Sequence, residues 1–457
     1  MKLIHAGLAL ALLCAAEVHA ADWAPARKLD AYFDALQSQG LANGSIAISE
    51  GGEIRYRRAV GFARYTPPAN EPADPNTRYR IGSVTKLFTA VLMLQLAEKA
   101  SVTLDSRLAE FYPDLPNALQ ITYRNLLQHR SGLADYTRAD GFDDWRRAPA
   151  THAQLLGIID AAGSRFAPGE RVEYNNSNYL LLGYVLEKVY EKPYGEIVRQ
   201  QVIDKLGLGR TLYGAPADGA LPVSYEFRSG SWLTVEPTDP ELHGGAGALL
   251  STPSNLVRFM DALTTGRLVS VHSLASMREQ TGGSGMGLWS YDAAGQNGFG
   301  HGGAIEAFRA CVYHFPDKRL SIAYTTNAPV LAMSEIVDES LALVFEPRRQ
   351  PPAFAPQTLS DAQRKPFTGA WRSAEGLPTR MKFRDFRPPD APLALEIVSL
   401  PAGLIARIQG NDLPLIAYGG GEFLAPTIGY LLRFDGDELA VRGSDYAYFL
   451  KRAPAGH

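Results

Sequence analysis

The stretch from Thr85 to Lys99 constrains the fold most, because it is strongly helix-forming and apolar on nearly every side. A helix with so little polar surface must be enclosed by other elements rather than lie on the outside of the protein. Ser83 falls at the start of this helix and Lys86 lies one turn further on. Residues three apart on a helix share a face, about 5–6 Å apart at Cβ, so the Lys86 amine can approach the Ser83 hydroxyl.

Two interpretations of Ser83 are open at this point. Ser83 can be a helix N-cap, a position that Ser favours, with Lys86 as an ordinary residue of the first turn. Alternatively, Ser83 can be a nucleophile, because unpaired backbone N–H groups and the positive end of the helix dipole favour developing negative charge there. We prefer the second interpretation, because this helix offers Lys86 little polar face.

The first twenty residues are typical of a secretory signal peptide. Lys2 is followed by an apolar run from Leu8 to Ala16 and by the small-residue cleavage pattern Val18-His19-Ala20. The apolar run is too short to be a permanent transmembrane helix. We therefore predict a leader over 1–20, a periplasmic or secreted location and no stable membrane insertion.

Once that leader is removed, Cys311 is the only cysteine, so the mature chain has no internal disulfide and must depend on a large core. The formal net charge of −3 is too small to indicate nucleic acid or a membrane surface as a partner. The sequence contains no phosphate loop and no cluster typical of a metal site. We therefore expect a small-molecule or short-peptide substrate, no cofactor and no metal; the oligomeric state is left open.

The order of patterns predicts an α+β fold. A hairpin pattern over 44–60 and a second over 307–326 enclose helical patterns over 151–162, 178–191 and 194–206, which indicates one antiparallel sheet built from both ends of the segment. A Pro-rich linker over 346–356 follows, and 366–457 consists of short alternating runs and Gly-rich turns. We predict a catalytic domain over 21–347 and, over 348–457, a linker with an all-β, barrel-like domain.

Five blocks of the sequence resemble the penicillin-recognising serine hydrolases, and specifically the class C β-lactamase branch with its D-aminopeptidases, DD-peptidases and esterases. The resemblance covers roughly 30–345 and implies a β-lactamase/transpeptidase-like fold, in which helices and an all-helical insertion flank an antiparallel sheet. In chain order, the blocks are Arg80-Ile81-Gly82-Ser83-Val84-Thr85-Lys86, Leu126-Leu127-Gln128-His129-Arg130-Ser131-Gly132-Leu133, Pro168-Gly169 with Tyr174-Asn175-Asn176, Gly244-Gly245-Ala246-Gly247, and Gly300-His301-Gly302-Gly303.

The resemblance implies a role for each matching residue. Ser83 would be the acylated nucleophile, Lys86 its proton partner and Tyr174 the second acid/base. Asn176 would bind the substrate amide and hold Lys86. The resemblance assigns no chemistry to His129.

The resemblance also implies substrate contacts along a sheet-edge strand that carries His301 and Gly303. The backbone N–H groups of Ser83 and Ala304 would form the oxyanion hole, in which each donor contributes about 10²–10³ in rate.

Elementary acid–base chemistry explains why such residues must be clustered. At pH 7 about one free Lys in 2,500 is neutral and about one free Tyr in 1,000 is ionised, so neither is a base unaided. Burial lowers the pKa of a Lys, and a nearby ammonium favours tyrosinate, so a packed cluster can adjust either group. Which of the two accepts the Ser83 proton is left open. The alternative for Tyr174 and Asn176 is a capping turn before the next helix.

The fifth block departs from the β-lactamase pattern, because His301 stands where lactamases and carboxypeptidases usually have Lys. At an unperturbed pKa of about 6.5, His301 would be charged in roughly a quarter of molecules at pH 7 and would recognise carboxylates better below about pH 6.5. The alternative is a surface His in a Gly-rich turn. His-Gly-Gly resembles the D-aminopeptidases and esterase-like members instead.

The leading hypothesis is a serine hydrolase that forms a Ser83 acyl-enzyme with small amides or esters, as a D-aminopeptidase-like peptidase or an esterase. A β-lactamase or DD-carboxypeptidase is the alternative within the same chemistry. A penicillin-binding-like sensor or scaffold with little turnover is the alternative from another class.

Overall fold

The protein was obtained as a computed structural model that describes residues 23–216, 221–228, 231–373, 393–408, 410–426, 430–442 and 447–453. The predicted leader over 1–20 lies outside these residues and stays a prediction. The helices are α1 Ala26–Ser38, α2 Thr85–Glu98, α3 Tyr123–Leu127, α4 Phe142–Trp145, α5 His152–Ala162, α6 Asn176–Tyr190, α7 Tyr194–Val198, α8 Asp204–Leu206, α9 Gly244–Gly247, α10 Pro253–Thr264, α11 Val271–Arg278, α12 Met333–Phe345 and α13 Asp361–Arg364. The strands are β1 Gly44–Glu50, β2 Glu53–Val60, β3 Phe62–Arg64, β4 Glu71–Pro72, β5 Tyr79–Arg80, β6 Leu212–Tyr213, β7 Ser224–Arg228, β8 Ser231–Val235, β9 Leu249–Ser251, β10 Trp289–Ala293, β11 Gln296–Ile305, β12 Phe308–Phe315, β13 Leu320–Thr326, β14 Gly369–Ser373, β15 Ala394–Leu400, β16 Gly403–Ile408, β17 Asn411–Gly419, β18 Glu422–Ala425, β19 Tyr430–Asp435, β20 Glu438–Arg442 and β21 Ala447–Arg452.

An antiparallel sheet forms the centre of the first part of the chain, with the strand order β10-β11-β12-β13-β1-β2 in the described residues. β1 pairs with β13 from Ser45 opposite Thr325 to Glu50 opposite Leu320. Strands from the two ends of the segment therefore build one sheet, and the predicted α+β architecture is confirmed.

Strand β1, which lies between β13 and β2, is buried on both faces, and this indicates that helices cover both sides of the sheet. Successive strand residues point to opposite faces. Ile46 and Ile48 pack in one core with residues of α1 and α12, whereas Ala47 packs in the other core with residues of α2, α6 and α10. The sheet therefore lies between two helical layers.

Helix α2 is the buried central helix that the sequence predicts. Every residue from Thr85 to Leu96 is buried, and a 3-10 turn over Gly82–Val84 leads into the helix. The predicted helices over 151–162 and 178–191 appear as α5 and α6. The predicted helix over 194–206 is continuous, but its middle five residues, Arg199–Ile203, form a π-helical turn between α7 and α8.

Two small sheets in the helical middle of the chain were not predicted. β5, β9 and β6 form one, and the hairpin β7–β8 forms the other. The position of β11 also differs from the expected edge strand, because β11 is second in the sheet. In the described residues, however, β10 pairs with β11 only from Gln296 to Gly300, so the stretch from His301 to Ile305 continues past β10 as the local edge.

The strands β14 to β21 close into an antiparallel barrel, in which β14 pairs with β21 in the described residues. The barrel encloses its own hydrophobic core, with Trp371 fully buried in it. The predicted all-β, barrel-like end of the chain is therefore confirmed, while the exact boundary between 347 and 348 stays a prediction.

The Pro-rich segment before the barrel packs against the first part of the chain. Phe354 is 8% exposed and Leu424 of β18 is 1% exposed, and both belong to the core formed by α1, α12 and the sheet. Arg442 of β20 also donates to Glu335 of α12 over 3.0 Å. The barrel therefore shares a core with the first part of the chain, because apolar residues of the linker pack against α1.

Candidate active site

Ser83 lies in the 3-10 turn before α2, in the wall of a cleft of about 400 Å³. The N-cap residue of α2 is Val84, and no side chain caps this helix end. The N-cap alternative for Ser83 is therefore wrong, and its hydroxyl faces the cleft instead of the helix backbone.

Lys86 is fully buried and its amine contacts three oxygen atoms. Lys86 Nζ donates to Ser83 Oγ, to Asn176 Oδ1 and to the carbonyl oxygen of Ala246, each at 2.9 Å. Buried charged groups are retained where they have such partners. The i, i+3 spacing thus produces the predicted contact between the amine and the hydroxyl.

Tyr174 completes the cluster from the loop that precedes α6. Its hydroxyl donates to Ser83 Oγ over 2.6 Å, and Lys86 Nζ lies 4.8 Å from the centre of its ring. The cap of α6 is Asn175, whose side chain accepts from the backbone N–H of Ser177 over 2.7 Å. The capping alternative for Tyr174 and Asn176 is therefore wrong, and both side chains face the Ser83–Lys86 pair.

Two residues that sequence reasoning missed hold Asn176 in place. Asn176 Nδ2 donates to Asp135 Oδ2 over 3.1 Å and to Thr137 Oγ1 over 3.2 Å. The backbone N–H of Asn176 donates to the same Asp135 oxygen over 3.1 Å. These bonds turn Asn176 Oδ1 toward Lys86. The only available signal was the position of Asp135, two residues after the block that ends at Leu133.

The Ser83 turn and the end of β11 approach each other so closely that glycine is required in both. A Cβ on Gly303 would lie 2.0 Å from the Ile81 carbonyl oxygen and 3.0 Å from Ser83 N. Gly82 has a φ of +49°, and a Cβ there would lie 3.1 Å from Ala304 N. The backbone nitrogens of Ser83 and Ala304, which were predicted to form an oxyanion hole, therefore both lie where the Ser83 turn contacts the end of β11. We call this contact, beside the Ser83 hydroxyl, the seam.

His301 lies behind this seam and is 2% exposed, so it is not the surface histidine of a turn. Its Nδ1 donates to the Gly302 carbonyl oxygen, and its Nε2 has no hydrogen-bond partner in the described residues. Burial, followed by the positive charge of Lys86, lowers the pKa of His301 to about 3. The expectation that His301 gains charge near pH 6.5 is therefore wrong, because the sequence could not show its desolvation.

His129 packs under the cluster as a structural residue. Its ring centre lies 4.4 Å from that of Tyr174, and its Nδ1 accepts from the backbone N–H of Asn175 over 3.1 Å. Burial lowers the pKa of His129 well below its ordinary value. A neutral ring held in this way supports the Tyr174 ring from below.

A buried ion pair connects the two segments that form the seam. Arg80 Nη1 lies 3.0 Å from Glu306 Oε1, and both side chains are fully buried. The backbone N–H of Thr238 donates to the same Glu306 oxygen over 2.9 Å. Arg80 precedes the Ser83 turn by three residues and Glu306 follows Ala304 by two, so the pair fixes the spacing across the seam. Sequence reasoning quoted Arg80 but missed Glu306.

Within the part of the chain that the structure describes, no cluster of three or more His, Cys, Asp or Glu side chains could hold a metal ion. None of the helices in these residues has the length and hydrophobicity that a membrane-spanning helix needs.

Comparison with known proteins identifies a family that the chain matches. The family model named Beta-lactamase matches residues 29–345. The teichoic acid D-alanine hydrolase of Staphylococcus aureus is 27% identical over 246 residues, which are 53% of this chain. That alignment spans 59% of the length of the relative.

Two solved structures extend the likeness. A D-stereospecific amidohydrolase from Streptomyces sp. is 28% identical with a TM-score of 0.58, over 70% of this chain and 99% of that one. The octameric penicillin-binding protein homologue from Pyrococcus abyssi is 20% identical with a TM-score of 0.64, over 93% of this chain and 99% of that one, a likeness of fold alone. Because the family model matches residues 29–345, the chain belongs to the beta-lactamase family.

Proposed function

We propose that Ser83 is the nucleophile and that this protein hydrolyses small esters or amides through an acyl-enzyme. The observation that carries the proposal is the pair of hydrogen bonds to Ser83 Oγ, from Lys86 Nζ over 2.9 Å and from Tyr174 Oη over 2.6 Å. A hydroxyl within reach of two proton-transfer groups is the arrangement that activates a serine.

The contacts of Lys86 indicate which of the two groups, Lys86 or Tyr174, accepts the Ser83 proton. Its amine has three oxygen acceptors, which suits an ammonium that donates three protons. Tyr174, in its ionised form, is then the group that accepts the Ser83 proton, and the Lys86 charge stabilises this tyrosinate before the transfer.

In the acylation step, the bond from Ser83 Oγ to the substrate carbonyl carbon forms, and the carbonyl oxygen gains negative charge. The backbone N–H groups of Ser83 and Ala304 would stabilise this oxyanion. The bond from the carbon to the leaving oxygen or nitrogen then breaks, and the proton taken from Ser83 passes to the leaving group. A water molecule repeats the sequence and releases the acid.

D-aminoacyl esters and amides are the first substrates to test, because two similar proteins are named for D-alanine hydrolysis and for D-stereospecific amide hydrolysis. The β-lactamase alternative is weaker, because the fifth block supplies no cation: the pKa of His301 is lowered to about 3. The intact cluster is an argument against a scaffold without turnover. Cleavage of a leader and export to the periplasm belong to the same proposal.

The test is covalent labelling with a fluorophosphonate probe, followed by peptide mapping. We expect the label on Ser83, loss of label and of turnover in Ser83→Ala, and both retained in Ser101→Ala, which removes an exposed serine outside the cleft. Turnover is measured on D- and L-alanine p-nitroanilide, D-alanine methyl ester and nitrocefin. A label on another serine would contradict the proposal, and nitrocefin as the best substrate would favour the lactamase alternative.

A further inference from the structure

The cleft is lined by three arginines and two acidic residues in the described part of the chain. The arginines are Arg138, Arg146 and Arg309, and the acids are Asp135 and Glu306. Which of these charges is available to a substrate depends on the partners that each already has.

Both acidic side chains are already engaged. Asp135 Oδ2 accepts from Asn176, and its Oδ1 accepts from the backbone N–H of Thr137 over 3.0 Å and from Thr137 Oγ1 over 2.8 Å. Glu306 is fully buried: its Oε1 pairs with Arg80, and its Oε2 is enclosed by protein without a hydrogen-bond partner in the described residues. Neither carboxylate is therefore available to bind a cationic group of a substrate.

The arginines near α4 are more accessible. Arg138 is exposed, and in the described residues it forms no ion pair. Arg146 pairs with Asp143 over 2.9 Å; the Arg146 side chain is 21% exposed, but the Asp143 side chain is 91% exposed. An ion pair of that kind contributes little free energy and is readily exchanged for another anion. Arg309 is held against the cleft by bonds from its Nη1 to the carbonyl oxygens of Glu306 and Phe308.

The histidines of the site do not change the sign of the charge that faces the cleft. His243 also lines the cleft, and burial, followed by the positive charges of Arg80, Lys86 and Arg146, lowers its pKa to about 3. Near neutral pH the charge that faces the cleft is therefore positive, although the whole chain has a formal net charge of −3.

We propose that Arg138 and Arg146 form a subsite for an anionic group of the substrate, a carboxylate or a phosphate, placed away from the bond that is cleaved. The inference rests on the proposed function, because it concerns the substrate of the same Ser83 cleft. It assigns the recognition of negative charge to the segment 138–146 and not to the strand position of His301. Guanidinium groups suit this role, because they bind carboxylate and phosphate through paired hydrogen bonds.

The experiment uses two substrate pairs that differ only in the anionic group. Mono-p-nitrophenyl glutarate and p-nitrophenyl pentanoate place a carboxylate or a methyl group on the acyl side. The D-alanyl esters of glycerol phosphate and of glycerol place a phosphate or a hydroxyl on the leaving group. The ratio of kcat/KM for the anionic member to that for the neutral member measures the subsite, and the two pairs distinguish the two sources of charge.

We expect the anionic member of at least one pair to be preferred, and the ratio to fall about tenfold in the double variant Arg138→Gln/Arg146→Gln. The ratio should also fall as ionic strength rises from about 0.05 M to about 0.5 M, since exposed charges are screened by salt. Arg147→Gln is the matched control, because Arg147 is exposed, adjacent to Arg146 and outside the cleft wall.

A ratio that stays unchanged in the double variant, or no preference for either anionic member, would overturn the subsite. Fluorophosphonate labelling of Ser83 in the same samples separates this failure from failure of the proposed function. Labelling without anion preference contradicts the subsite alone, whereas absence of labelling contradicts the nucleophile.

Discussion

The two regions of the molecule differ in whether they bury polar side chains. One region is the family segment, residues 29–345, and the other is the barrel of β14–β21. The family segment buries charged or titratable groups, with Lys86 at 0%, Arg80 at 1% and His301 at 2% exposure. In the described barrel strands the buried side chains are hydrophobic, and ion pairs such as Arg407–Asp412 lie at the surface. Burying a charge costs free energy unless it is paired, so the polar core of the family segment marks where function outweighs that cost.

The largest expected effect is on turnover when the buried cluster loses a proton-transfer group. Lys86→Ala and Tyr174→Phe should each lower kcat by about 10²–10⁴, the usual loss for a general acid or base. Steady-state kinetics on the best ester substrate measures it, with Tyr190→Phe as a control for loss of a phenol outside the cleft. A near-wild-type kcat in either variant would show that the buried polar groups of the family segment are not retained for catalysis.

The buried ion pair Arg80–Glu306 should affect stability and rate separately. Arg80→Met or Glu306→Gln alone should cost about 3–5 kcal/mol in the free energy of unfolding, because each leaves an unpaired buried charge. The double variant should recover much of this free energy. The kcat of the double variant should stay about tenfold to a hundredfold below that of the wild type. The reason is that the ion pair no longer holds the segments that carry Ser83 N and Ala304 N at a fixed distance.

Urea unfolding and kcat measured on the same three variants test that separation. A boronic acid, whose tetrahedral adduct with Ser83 places an oxygen where the oxyanion forms, should bind the double variant more weakly while KM changes less. Recovery of kcat together with stability in the double variant would show that the pair has a structural role alone.

The junction between the two regions should show the opposite behaviour, with loss of stability and little change in rate. Leu424 is 1% exposed in the core shared with α1 and α12, so Leu424→Ala should cost about 2–5 kcal/mol through the cavity it leaves. Leu400→Ala, at a side chain 40% exposed, should change stability by less than about 0.5 kcal/mol. Thermal and urea unfolding measure both. Equal effects of the two substitutions would show that the barrel does not share this core.

The smallest expected effect is a loss of unfolding free energy at acidic pH, caused by the titration of His314. Burial, followed by the charge of Arg278, lowers the pKa of His314 to about 4, so the unfolded chain binds the proton first as pH falls below about 6.5. Stability falls with pH wherever the unfolded state binds more protons. Between pH 7 and 5 this one group should therefore remove about 1–2 kcal/mol of unfolding free energy.

His314 lies outside the cleft wall and is hydrogen-bonded to Ser321 Oγ over 3.0 Å, so His314→Gln tests the acid effect without touching the cluster. The pH slope of unfolding free energy should be shallower in His314→Gln than in the wild type. An unchanged slope would mean that His314 titrates alike in the folded and unfolded chain.

Features that depend on neighbours along the chain could be predicted from the amino-acid sequence alone. The burial of α2 follows from its apolar pattern, the Ser83–Lys86 contact follows from the helical repeat, and the hairpin β1–β2 follows from alternation around a Gly-Gly turn. Each of these is a local rule, in which spacing alone fixes which side chains share a face.

The tertiary structure decided whatever depends on residues far apart in the chain. Three examples join residues with no common local pattern: the hydrogen bonds from Asn176 to Asp135, the pairing of Arg80 with Glu306, and the burial of Leu424 in the core that contains α1 and α12. The same is true of the pKa of His301, which is lowered to about 3. A pKa depends on how much water and charge surround a group, and only the folded packing of distant segments sets that environment.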